Sequence, residues 1–66
     1  MLPNDLYDLM TQMVVENRSL WRIRSVYLAD SAKCENCLAF WNKMIKDKED
    51  HIQELTELIK RHMGAA

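Results

Sequence analysis

Glycine and proline are almost missing from this 66-residue chain, with Pro3 and Gly64 the single copies of each. The segment between them therefore carries none of the residues that most often interrupt regular backbone, and long helices are the first expectation. Cysteine is nearly as scarce. Two thiols, Cys34 and Cys37, allow one intramolecular bridge at most, which excludes a disulfide-dense scaffold. No apolar run approaches the roughly 20 residues that span a bilayer; Met13-Val14-Val15 is typical and Cys37-Leu38-Ala39-Phe40-Trp41 is the longest. The N-terminus has no basic patch followed by an apolar signal segment, so a soluble, cytoplasmic protein is expected. Charge of one sign is also lacking. Nine basic and ten acidic residues leave a net charge of -1, which gives no electrostatic reason to expect nucleic acid or an anionic membrane as partner.

A chain this short forms one domain, spanning 1–66, and buries only about 60% of its unfolded surface. Its own core is a weak source of stability, and self-association is the simplest remedy.

The apolar residues fix the secondary structure. Leu2, Leu6, Leu9, Met13, Leu20, Ile23 and Tyr27 follow steps of four and three, broken only by Glu16. Leu38, Trp41, Ile45, Ile52, Leu55 and Ile59 repeat the rhythm, broken by Lys48. Strands do not produce that spacing. It predicts an all-α chain with helix 1 at about 4–29, a turn at about 30–33 and helix 2 at about 34–63. Asn4 or Asp5 is expected to cap the first helix, Asp30 or Ser31 the second, and Gly64 to take a left-handed terminal position before a frayed Ala65-Ala66. One continuous helix of about 60 residues and about 90 Å satisfies the stepping as well.

Two features favour an antiparallel helical hairpin. A reversal near residue 32 sets facing positions to a sum of about 64, pairing Ile23 with Trp41, Leu20 with Met44, Met13 with His51 and Leu9 with Leu55. The same rule brings Glu16 level with Lys48, so the two interruptions meet as an ion pair that sets the register. The second feature is stripe width. Met10, Val14, Trp21 and Leu28 form an additional apolar line on helix 1, and Ile45, Ile52 and Ile59 lie beside Met44, Leu55 and Leu58 on helix 2. Helices apolar over that much circumference belong in a three- or four-helix core. The expectation is a hairpin that pairs with a second copy as a four-helix bundle, with Met10, Val14, Trp21 and Leu28 as the interface and Trp21 as its anchor.

Chemistry has few candidates. Cys34-Glu35-Asn36-Cys37 has the spacing at which two thiolates share a zinc ion or close a redox disulfide. Four zinc ligands require two chains, so the chemical reading is an intersubunit zinc or thiol site and the bland one is two small apolar fillers at the turn. Glu16 with His51 resembles the layout of four-helix di-iron carboxylate proteins, which present a Glu-x-x-His element. The position of the Glu is occupied here by Lys48, which repels a cation. Ile52-Gln53-Glu54-Leu55-Thr56-Glu57-Leu58-Ile59 resembles the signature helix of small helical-hairpin aspartyl-phosphate phosphatases of the sporulation pathway, whose motif reads Ser-Gln-Glu-Leu-Asp, over about one-eighth of the chain. Ile52 and Thr56 replace its Ser and Asp, and nothing is carried over. Arg18 and Arg22 share an exposed face without forming a larger basic patch. No catalytic constellation stands out, and the expected role is a non-enzymatic interaction or assembly module whose partner is itself or another protein. The runner-up is a metal- or thiol-dependent regulator.

Overall fold

The structure is a computed structural model that describes residues 3–64. Leu2, the first member of the sequence stripe, and Ala65-Ala66, expected to fray, lie outside the described residues. Among the described residues every regular element is helical: α1 (Asn4–Arg22), a π-helical turn (Ile23–Tyr27), the short α2 (Leu28–Asp30) and α3 (Glu35–Gly64). The break at 31–33 excludes one continuous helix. The molecule measures 50 × 18 × 13 Å, far shorter than such a helix.

The caps differ from those expected. Pro3, extended at φ -55° and ψ 146°, precedes α1, and its carbonyl accepts the Tyr7 amide at 3.0 Å. Its missing N–H costs nothing at that position, where no helical partner exists. Asp5 instead accepts the amide of the next residue, Leu6, at 2.9 Å. Ser31 leaves helical geometry at φ -98° and ψ 12°, and its carbonyl accepts the Cys34 amide at 2.9 Å, closing the turn without glycine. Cys34, not Asp30 or Ser31, then begins α3: its carbonyl accepts the Leu38 amide and its Sγ accepts the Cys37 amide at 3.1 Å. Gly64 remains helical with no positive φ.

The two helical arms touch along their length, and the order of contacts is reversed. Asp5 lies 3.6 Å from His62, Glu16 meets Lys48 and His51, Arg24 meets Glu49, and Tyr27 stacks obliquely on Trp41 at 4.8 Å between ring centroids. The two Lys/Arg–Glu ion pairs and the two histidine–carboxylate contacts among the described residues therefore all link the arms. Lys43 with Asp47, Lys46 with Asp50 and Glu57 with Arg61, correctly spaced along α3, form none.

Burial between the arms is slight. Leu6, Leu20 and Ile23 are the buried apolar side chains among the described residues, and no residue of α3 is buried. Leu38, Trp41, Met44, Ile45, Ile52, Leu55 and Ile59 are half-buried. Two cylinders meet along a line, so a residue beside the seam keeps one flank open.

Candidate functional site

Three groups of side chains stand out, and the first is polar. Glu16 is 6% exposed, the one buried charged residue among those described. Lys48 donates to its Oε2 at 2.7 Å, and the Nδ1–H of His51 donates to its Oε1 at 2.9 Å. A carboxylate only accepts, so the proton of that second bond resides on the imidazole. The Lys48 ammonium, followed by the smaller effect of His51, holds the Glu16 carboxyl below its ordinary range despite the opposing push of burial. The three residues come from both arms because 16 lies on the seam of α1, and 48 and 51 lie one turn apart on α3. Glu16 and Lys48 were both readable as interruptions. His51, set level with Met13 by the facing rule and grouped with Glu16 by the di-iron-like layout, joins them as a hydrogen-bond donor to the carboxylate.

This arrangement neutralises charge; it offers no ligand set. The described residues contain no group of three or more His, Cys, Asp or Glu side chains placed to hold a metal ion. Lys48 occupies the oxygen that a cation would need.

The second group is apolar. Tyr7, Met10, Val14 and Trp21, at 59%, 42%, 50% and 66% exposed, share one side of α1. Leu28, expected to continue that line, is half-buried. The π-helical turn explains the difference. The Leu28 amide bonds to the Ile23 carbonyl five residues back, and one additional residue in a turn rotates the rest of the arm by about 100°. Nothing in the heptad spacing signals that turn. Beside Trp21, a shallow groove is lined by Asn17, Arg18 and Arg22, which places the two arginines at the rim of the apolar stripe.

The third group is the cysteine pair. Cys34 and Cys37 are joined as an intrachain disulfide, with Cys34 half-buried and Cys37 exposed. Zinc binds thiolates, so an intersubunit zinc site would belong to the reduced chain only. Trp41, one turn along α3, donates its indole N–H to Ser31 Oγ at 3.1 Å and packs edge-on against Phe40 at 5.1 Å.

No protein-family model, curated protein or solved structure matches the chain. Among the described residues no helix is long and apolar enough to cross a membrane. The functional reading therefore rests on these three groups.

Proposed function

We propose that the chain is an antiparallel helical hairpin that pairs with a second copy into a four-helix bundle, and that it acts in the cytoplasm as a non-enzymatic interaction or assembly module. The observation that carries this reading is surplus surface. The chain exposes 5328 Å², whereas a compact monomer of its mass exposes about 4400 Å². Its radius of gyration is 14.9 Å, against about 11 Å for a compact domain of this length. A surplus of about 900 Å² on each of two chains is close to the total buried in a stable protein interface.

The location of the surplus supports the same reading. Tyr7, Met10, Val14 and Trp21 offer a continuous apolar side, and a second pair of helices laid on it would close the open flanks of Leu38, Ile45, Ile52 and Ile59 as well. Tryptophan and tyrosine concentrate binding energy, and Arg18 and Arg22 at the edge suit the polar rim of an interface. Glu16 and Lys48 then have a role in specificity: a charged pair in the seam is satisfied in one alignment of the arms and left unpaired in slipped ones.

Light scattering across a concentration series tests the proposal. The expected result is twice the single-chain mass, with Trp21→Ala shifting the equilibrium toward monomer by tenfold or more, about 1.4 kcal/mol or above. Val14→Glu, a surface change on the same stripe, is expected to act in the same direction while far-UV circular dichroism reports the helix retained. Single-chain mass at every concentration overturns the dimer. Unchanged dimer mass in both variants overturns this stripe as its interface.

A further inference from the structure

The Cys34–Cys37 bridge encloses the first turn of α3 and ties it to nothing else, since its sequence separation is 3 and both sulfurs belong to the start of one helix. The entropy that a bridge removes from the unfolded chain grows with the length of the loop it closes, so a ring this small does little for the fold. It does not join the arms. Their contacts are those of Asp5, Glu16, Arg24 and Tyr27 with α3, none of which involves a sulfur. The bridge is nevertheless on the surface, and its two sulfurs are unequal. Cys37 is exposed, whereas Cys34 is half-buried and its Sγ accepts the Cys37 amide at the N-terminus of a 30-residue helix.

From this placement we propose that the Cys34–Cys37 bridge is a reversible thiol–disulfide exchange site, opened by an external thiol, with Cys37 the sulfur attacked and Cys34 the leaving thiolate. Access selects Cys37. Leaving ability selects Cys34, because thiol exchange is fastest when the departing thiolate is the more stable one, and a donated amide with the positive end of a helix stabilises negative charge there. Of the charged side chains adjoining it in sequence, Lys33 favours the thiolate and Glu35 opposes it; the amide bond and the helix terminus are added to the favourable side.

Atoms and electrons balance in two steps. An external thiolate bonds to Cys37 Sγ as the Cys34–Cys37 bond breaks, and the electron pair leaves on Cys34. A second external thiol attacks the outer sulfur of that mixed disulfide and releases Cys37. One bridge and two thiols become two cysteine thiols and one external disulfide, a two-electron reduction that an external disulfide reverses. The external thiol is of the glutathione class or an exposed cysteine of another protein. In a reducing compartment bridges of this kind are transient and regulatory. This inference does not rest on the dimer, because exchange is read on the chain's own sulfurs.

The test is equilibration of the full chain with glutathione buffers of graded thiol-to-disulfide ratio, acid quenching, alkylation and mass counting. The bridged form is expected to give way to two free thiols across the series, with tryptophan emission changing in step through Trp41. In the reduced chain at mildly acidic pH, iodoacetamide is expected to modify Cys34 about tenfold faster than Cys37, because only the thiolate reacts and the amide and helix terminus favour it on Cys34. Cys34→Ser is expected to hold glutathione on Cys37 as a mixed disulfide. Cys34→Ser/Cys37→Ser is expected to keep its helix content and melting temperature. A bridge that stays closed in excess reduced glutathione, but opens with a reduced thioredoxin-class dithiol, assigns the partner as a protein cysteine. A bridge closed to both, thiols that never join under oxidised glutathione, faster alkylation of Cys37, or loss of helix on opening each overturns the proposal.

Discussion

The two sides of α1 invert the usual arrangement of a soluble helix. The side against α3 buries a carboxylate, Glu16, at 6% exposure, while an adjoining flank leaves Trp21 at 66%. Glu16 tolerates its position because Lys48 and His51 occupy both of its oxygens, and no buried side-chain polar atom among the described residues lacks a partner. Trp21 has no comparable satisfaction. Its indole surface faces water beside Arg18 and Arg22. A polar group inside is acceptable when paired, whereas a large apolar group outside is a surface in need of a cover. The contrast explains why the same helix serves both a specific internal seam and a proposed external interface.

The comparison is broken most severely by emptying the seam. Ile23, 1% exposed, sits where α1 passes into the π-helical turn. Ile23→Ala is expected to cost about 3 kcal/mol, from lost transfer energy and an unfilled cavity. In a chain with so few buried apolar residues that is a large part of the total, and thermal unfolding followed by far-UV circular dichroism should show most of the cooperative transition gone. A loss below about 1 kcal/mol would mean that the seam contributes little.

Removing the partner of the buried charge comes next. Lys48→Met leaves Glu16 with His51 alone and is expected to cost about 2–3 kcal/mol in urea unfolding, less than a fully unpaired carboxylate because one hydrogen bond survives. Glu16→Leu combined with Lys48→Met removes both charges and is expected to melt at or above the wild-type temperature, with altered oligomeric state if the pair sets the register. A double variant as unstable as Lys48→Met, or an unchanged oligomer, would count against that role.

These two variants also show what was legible in the sequence. Helicity follows from spacing alone, whereas the turn expected at about 30–33 rests on stripe width and on Glu16 and Lys48, each of which interrupts an apolar stripe at a matching distance from it. Three features were hidden. The π-helical turn at Ile23–Tyr27 has no sequence mark, since neither glycine nor proline occurs there, and it diverts Leu28 from the line of Met10, Val14 and Trp21. The opening of α3 by Cys34 was hidden because sulfur is a poor capping atom, and Ser31, the better candidate by residue type, has its hydroxyl on the Trp41 indole. The state of the cysteines was hidden because spacing permits a bridge, a metal or plain packing equally.

Acid tests the paired carboxylate without a mutation. The Glu16 carboxyl is held below its ordinary range by Lys48 first and His51 second. A group whose pKa is depressed on folding contributes stability above its unfolded value and loses it as pH falls through the folded one. The stability gap between wild type and Glu16→Gln is therefore expected to be full near neutrality, to shrink once pH drops through the ordinary glutamate range, and to close below the folded value. Urea midpoints taken from pH 7 downward check this. A gap that does not shrink in acid would show that Glu16 acts through packing and not through charge.

The smallest effect is expected at the other interarm Lys/Arg–Glu pair, where the geometry is as good but the surroundings are not. Arg24 donates to Glu49 at 2.8 Å, close to the Lys48–Glu16 distance of 2.7 Å. The side chains are 51% and 53% exposed, against 19% for Lys48 and 8% for Glu16. Water screens the first pair and competes for its hydrogen bonds, and holding two long side chains in one geometry costs entropy. Arg24→Ala is expected to lower stability by about 0.5 kcal/mol, a difference that should vanish in about 1 M salt. The Lys48→Met deficit is expected to persist there, because a buried pair is screened far less. Equal salt sensitivity of the two variants would erase the distinction between the seam and the surface.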